Sequence, residues 1–315
     1  MTEPVSAAPG EPAEAPPRAA TARVLLVHGD AKDLLAHVAE GSVELAYLDP
    51  PFAVGARFRT RDGDDAYDDV WSSFDAYLAW LEARIAVVRA ALAANGTMWL
   101  HLDQRAVHEA KVLCDRVFGR RAFFGEVIWA PGNGSKARRG PGATHQTLLL
   151  YARGDAPTWN GRDPSLRAPF AETSVKMHFT NKDDDGRAYR ERAIGGKTYR
   201  YYEDEGRALG SVWSDCPAMA ANTPLRAEST GYPTQKPLKL LDRIVRASSS
   251  PGGTVLDPFC GSGTTLHAAA ALGRRAIGVD VGARAIGVVE ARLAKATIAC
   301  DVVRRVDAAP LPAPP

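Results

Sequence analysis

The chain has 315 residues, with 39 Lys plus Arg against 37 Asp plus Glu, and 45% of its residues are hydrophobic. That length suits one large α/β domain carrying an insertion, and no apolar run approaches membrane-spanning length. The four cysteines, Cys114, Cys216, Cys260 and Cys300, are scattered with no Cys-x-x-Cys pair, which argues against disulfides and metal sites and fits a reducing cytoplasm.

Residues 1–21 are rich in Pro, Ala and Glu, and a segment so poor in bulky apolar residues is expected to be a disordered tail. No basic stretch followed by an apolar one opens the chain, so no secretory signal is expected. Arg23 to Val27 reads as a strand, with Asp30 just beyond it. Val43 to Leu48 reads as a second strand and runs straight into Asp49-Pro50-Pro51-Phe52. Consecutive prolines fix φ and remove two N–H donors. Asp49 and the proline carbonyls then form an acceptor-only pocket, with Phe52 as a stacking platform. Such a pocket suits the exocyclic amino group of a nucleobase.

Phe74 to Ala94 predicts a long helix stopped by Asn95-Gly96, followed by a strand at Thr97 to Leu100. A helix over Gln104 to Phe118 and strands at Val127 to Trp129 and Leu148 to Tyr151 follow. His101 and His108 read as ordinary polar residues at element ends. From about 131 to 236 apolar periodicity fades, and 16 Lys plus Arg stand against 12 Asp plus Glu. The basic surplus of the chain is therefore concentrated there. Arg138, Arg139, Arg187, Arg190, Arg192, Lys197 and Arg200, interleaved with Tyr189, Tyr199, Tyr201 and Tyr202, could track phosphates and stack on bases. Residues 132–136, Gly-Asn-Gly-Ser-Lys, read as a loop near the pocket.

The last third begins with a strand, Thr254 to Leu256, that runs into Asp257-Pro258-Phe259-Cys260-Gly261-Ser262-Gly263-Thr264. A helix from Thr264 to Leu272, a strand from Arg275 to Asp280 and a helix from Ala283 to Ala294 follow, after which the fold is expected to end. Strand, glycine loop, helix, strand and terminal acid form a nucleoside-binding βαβ unit. The glycines permit close backbone approach, and Asp280 is placed to accept from ribose hydroxyls. No phosphate-loop lysine is present, which argues against ATP. Cys260 reads as a small filler residue.

Asp49-Pro50-Pro51-Phe52 and Asp257-Pro258-Phe259-x-Gly261-x-Gly263 resemble the catalytic and cofactor motifs of DNA amino-methyltransferases. Their order, catalytic motif first, resembles the circularly permuted β group, which includes modification subunits of type III restriction systems. Val27-His28-Gly29-Asp30, His145 to Tyr151 and Gly231-Tyr232-Pro233-Thr234-Gln235-Lys236-Pro237 are similar to further segments of that family. Two departures stand out: Phe52 where Tyr is commoner, and Ala53-Val54-Gly55 where Asn-Thr-Gly is frequent.

The resemblance implies a doubly wound α/β fold, a seven-stranded Rossmann-like sheet cut open before its third strand, with an irregular target-recognition insertion. It implies a catalytic half at 22–130, the insertion at 131–230, a cofactor half at 231–300 and a flexible tail at 301–315. It assigns catalysis to Asp49, Pro50, Pro51 and Phe52, and S-adenosyl-L-methionine to Asp30, Lys236, Pro237, Asp257, Phe259, Gly261, Gly263, Thr264 and Asp280. It makes double-stranded DNA the partner of the basic insertion, with the target base flipped out of the helix. Homodimers and restriction subunits are associated with the group. Adenine N6 is the expected target because Asp, rather than Ser, precedes Pro-Pro. Cytosine N4 methylation and a silent DNA-binding relative stay open as alternatives.

Overall fold

Every residue of the strand Val43–Leu48 is buried. Successive side chains of a strand point to opposite faces. Leu45 and Tyr47 accordingly join one core, and Ala46 and Leu48 the other. A strand covered on both faces belongs inside a sheet sandwiched between helices. A computed structural model shows that architecture and describes residues 24–132, 134, 139–219 and 224–304.

In chain order the elements are β1 (Val24–His28), β2 (Val43–Leu48), β3 (Ala56–Arg59), β4 (Asp65–Asp69), α1 (Phe74–Ala91), β5 (Leu92–Leu102), α2 (Val107–Phe118), β6 (Phe123–Trp129) and β7 (Gln146–Ala152). The insertion adds β8 (Arg167–Ala168), α3 (Glu172–His178), β9 (Asn181–Lys182), β10 (Ala188–Ile194), β11 (Lys197–Tyr202), β12 (Arg207–Ala208) and β13 (Val212–Trp213). The final part holds α4 (Leu238–Ser248), β14 (Thr254–Asp257), α5 (Thr264–Ala271), β15 (Arg275–Asp280), α6 (Ala283–Lys295) and β16 (Cys300–Arg304).

One sheet runs β13-β6-β7-β5-β2-β14-β15-β1-β16. All its pairings are parallel except those of β7 with β5 and β6. Residues of α1 and α2 fill the core on one face, and those of α4, α5 and α6 the core on the other. The α/β doubly wound expectation therefore stands, but the sheet has nine strands rather than seven. The chain continues past α6, and Cys300 to Arg304 pairs with β1 residue for residue. Four residues assigned to a flexible tail, Asp301 to Arg304, are thus strand. Residues 1–21 and those beyond Arg304 lie outside the described residues.

Two further expectations need correction. The helix α1 stops at Ala91, not Ala94, because Leu92 already pairs with Val43. Asn95-Gly96 is not a helix stop but part of an irregular stretch of β5. A Cβ at Gly96 would lie 2.7 Å from the Val43 carbonyl oxygen, so glycine is needed there for close strand approach. The insertion is not irregular either. Strands β9, β10 and β11 form an antiparallel sheet, turned by Gly195-Gly196 with φ of 58° and 75°. Two residues with positive φ are what a tight type I′ hairpin turn requires. Among the described residues no helix is long and apolar enough to cross a membrane.

Candidate active site

Strands β2 and β14 are parallel neighbours, with Leu45 opposite Val255 and Ala46 opposite Leu256. Their carboxyl-end loops therefore emerge side by side, where α/β sheets bind ligands. Asp49–Phe52 and Asp257–Ser262 line one cleft of about 1020 Å³, together with residues of β4, α1 and the 231–236 segment.

The first loop is held from below and from the side. Tyr77 Oη donates to the Pro51 carbonyl at 2.9 Å. Pro50 lines the cleft, and among the described residues no donor reaches its carbonyl. Buried Asp69 accepts from the Phe52 and Val54 amides on Oδ2, at 3.0 and 2.9 Å, and from Trp71 Nε1 on Oδ1 at 2.8 Å. Ala53 sits at φ 56°, a region Asn tolerates better than Ala. That gives the Asn frequent at this position a backbone reason. The Phe52 ring lies 6.2 Å from that of His101, a buried residue whose Nδ1 meets Tyr47 Oη at 2.7 Å. Asp49 receives Lys236 Nζ on Oδ2 at 2.5 Å. Burial pushes the Asp49 carboxyl up, and Lys236 opposes that push.

In the second loop, Gly261 has φ 45° and donates its amide to Asp280 Oδ2 at 2.9 Å. Gly282 donates to Asp280 Oδ1 at 2.8 Å. Asp280 thus braces the glycine loop while also lining the cleft. Asp257 accepts from the Phe259 amide at 3.1 Å, and burial pushes its carboxyl up to about 7. Thr264 lines the cleft at the start of α5. Gly263, at φ 73°, faces Val289 instead: a Cβ there would come within 2.9 Å of the valine. Its demand for glycine is one of helix packing.

Three of the expected cofactor residues have other partners. Asp30 pairs with Arg84 Nη2 at 2.5 Å through Oδ2 and caps the Lys32 amide through Oδ1. Lys236 points at Asp49. Pro237 is not among the cleft residues, and its carbonyl accepts from the Leu240 and Leu241 amides of α4. Arg84 also stacks 4.1 Å over Trp80, whose ring lies 5.5 Å from that of Phe259.

The basic candidates stand apart from the cleft. Arg138 lies outside the described residues, as do residues 133, 135 and 136 of the expected loop, while Arg139 is exposed. Cross-strand pairing separates the others onto two faces of the β10–β11 hairpin. On one, Arg200 pairs with Glu191 at 3.1 Å and stacks 4.0 Å over Tyr189. Just before the hairpin, Arg187 grips Asp204 through Nε and Nη2, both at 2.8 Å. On the other face, Arg190 lies against the rings of Phe170, Phe179 and Tyr201 at 5.0 to 5.6 Å. Arg192 and Lys197 share that face, exposed and with no acidic partner among the described residues, beside Ile194 and Tyr199, 53% and 46% exposed.

The sequence profile of the N6/N4 DNA methylase family matches residues 43–290. The chain belongs to that family. M.EcaI, a type II methyltransferase of Enterobacter cloacae, is 30% identical over 282 residues, 75% of this chain and 61% of M.EcaI. The chain thus spans less than two thirds of that relative's length. The DNA adenine methyltransferase YhdJ of Escherichia coli K12 is 27% identical over 257 residues, 81% of this chain and 78% of YhdJ. The cytosine-N4-specific PvuII DNA methyltransferase shares the fold, with a TM-score of 0.58 at 17% identity over 86% of each chain.

Sequence reasoning missed several residues of the cleft. Asp69, Tyr77, Trp80 and Arg84 all line or brace it. Asp69 is hidden within an acid-rich run, Asp62 to Asp69, which reads as a solvated turn. The apolar spacing of α1 explains Tyr77 as core. Only Arg84, buried amid that apolar helix face, was a visible anomaly. Among the described residues no cluster could hold a metal ion.

Proposed function

We propose that this chain transfers a methyl group from S-adenosyl-L-methionine to the N6 amino group of adenine in double-stranded DNA, with S-adenosylhomocysteine as the leaving group and one amino proton released. The observation that carries the reading is the juxtaposition of Asp49 and the open Pro50 carbonyl with the glycine loop around one cleft. Bound there, the cofactor would supply an electrophilic methyl group on a sulfonium. The donor set fits such a cation. Asp257 is buried and Asp49 and Asp280 are half-buried, and desolvation penalises the charged form of each, so a positive ligand would relieve all three. Phe259 and Trp80 offer flat apolar faces, and Gly261 leaves its backbone open to close approach.

The chain's own residues prepare the amine. An exocyclic amino group is a weak nucleophile because its lone pair is delocalised into the ring. Asp49 and the Pro50 carbonyl would accept its two hydrogens and favour a pyramidal nitrogen. Phe52 would hold the ring, and alignment then supplies much of the rate. The base must leave the duplex to reach this depth. The unpaired face of the hairpin, Arg192 and Lys197 with Tyr199, is the best-supplied surface for phosphate contact. The order of the two motifs supports placement in the permuted β group. Four free cysteines and a DNA substrate fit a cytoplasmic site of action.

Asp before Pro-Pro and the likeness to YhdJ favour adenine; the likeness to the PvuII enzyme, in fold alone, keeps cytosine N4 as the second reading. Nucleoside analysis of DNA incubated with enzyme and labelled cofactor separates them. N6-methyladenine is expected. N4-methylcytosine overturns the adenine assignment, and DNA that stays unlabelled across varied sequences overturns transfer itself.

A further inference from the structure

Lys236 presents its ammonium to the catalytic loop from a distant part of the chain, and its side chain is only 8% exposed. The segment that carries it is braced throughout. Gln235 accepts from Thr230 on Oε1 and donates to the Glu228 carbonyl, while Glu228 accepts from the Leu238 amide. Thr234, β-branched, is held at φ 56°, with its hydroxyl 3.3 Å from Tyr67 Oη. A β-branched residue in the left-handed region is strained, and such strain persists where surroundings over-determine it. Here the fixed backbone delivers one cation to Asp49 Oδ2 at 2.5 Å. Asp49 Oδ1 has no donor among the described residues.

A buried ion pair contributes little net stability, because desolvation offsets the attraction. Its value here is better sought in the state of the carboxylate. The groups around Asp49 are Lys236, Asp257 from β14, Asp69 and Tyr67 from β4, Tyr47 from β2 itself and His101 from β5. Burial holds both tyrosines protonated and His101 neutral. Of these neighbours, Lys236 is the one that favours the charged form of Asp49.

We propose that Lys236 is a positioning residue for methyl transfer: it fixes Asp49 as an ionised acceptor and leaves Oδ1 to the target amino group. The inference rests on the methyl-transfer reading above. The sign of its pH dependence follows directly. Removing the cation raises the Asp49 carboxyl further, so the acceptor form is lost at a higher pH as the solution is acidified.

Single-turnover rates of full-length enzyme against pH, with Lys236→Met and Lys236→Arg, test it. In Lys236→Met the acid limb should move upward by at least about one pH unit, the range an adjacent charge commands. Lys236→Arg should restore the limb, and S-adenosylhomocysteine affinity by calorimetry should stay within about threefold in both. Lys236→Gln serves if the methionine variant misfolds. An unmoved acid limb in an active Met or Gln variant overturns the proposal. So does a loss confined to cofactor affinity, which would make Lys236 a cofactor ligand. Wild-type enzyme that methylates no DNA would sink the functional reading, a result distinct from either.

Discussion

At the cleft, Asp69 and Asp280 each accept two or more hydrogen bonds from named backbone amides and side chains, and Asp49 and Asp257 are each tied to a fixed donor. On and beside the β10–β11 hairpin, the charges lie in solvent: Arg187 and Arg200 are 40% and 44% exposed, and their partners Asp204 and Glu191 are 58% and 43% exposed. In the first region little water screens a charge, so each contact matters. In the second, solvent screens each pair, which therefore adds little. The comparison also corrects the charge count. Arginines neutralised by Asp204 and Glu191 contribute little field, and the useful surplus sits on the face with Arg192 and Lys197. The carboxyls of the cleft are thus held by fixed donors, while on the hairpin Arg192 and Lys197 keep their charge unpaired among the described residues.

The sharpest way to break this contrast is Asp49→Ala. Methyl transfer should fall by at least about a hundredfold, with S-adenosylhomocysteine affinity kept within a few fold. Retention of more than about a tenth of wild-type turnover would remove Asp49 from the chemistry. Next comes Gly261→Val. A side chain there would be strained at φ 45° and 3.2 Å from the Tyr232 ring, so cofactor affinity by calorimetry should drop by at least about tenfold. Unchanged affinity in a folded variant would place the cofactor elsewhere.

The hairpin makes a smaller and more divided prediction. Arg192→Ala with Lys197→Ala should lower the log–log salt slope of DNA binding by about two. Arg187→Ala with Arg200→Ala should leave it nearly unchanged. Equal effects from both pairs would erase the distinction between the two faces. The smallest effect is on stability. Asp257 titrates near 7 when folded, above the ordinary 3.8, so the folded state binds the extra proton between those values. Its contribution to stability is full at low pH and is lost as pH rises through about 7. Asp257→Asn should flatten that part of the stability–pH curve, measured by thermal melts between pH 5 and 8. A curve as steep as wild type would assign the slope to Asp49 and Asp280 alone.

Much of the cleft was legible because its chemistry is written in contiguous residues. Asp49 to Phe52 and Asp257 to Thr264 each follow a buried strand, and strand-end loops in α/β folds converge. What stayed hidden lies between residues far apart in the chain. Nothing local to Lys236 points to Asp49, 187 positions away, nor does Asp69 announce the amides it holds. Propensity misplaced the end of α1 because Leu92 to Ala94 suits a helix, while pairing with Val43 decides for strand. The Gly195-Gly196 turn between alternating Tyr and Arg carried a hairpin signal that composition obscured. The two extra edge strands, β13 and β16, are too short or too polar to stand out from their flanks.

The latch formed by Asp69 has a consequence for protein engineering. The four residues Asp49 to Phe52 do not hold their own shape: the Phe52 amide and the nearby Val54 amide hang on a carboxylate from β4, and the Pro51 carbonyl hangs on a tyrosine from α1. A chimera that transplants only Asp49 to Phe52 into another scaffold would carry the signature without its support. The smallest portable cassette runs from Asp49 through Tyr77, and swaps between homologous enzymes should be cut at those borders.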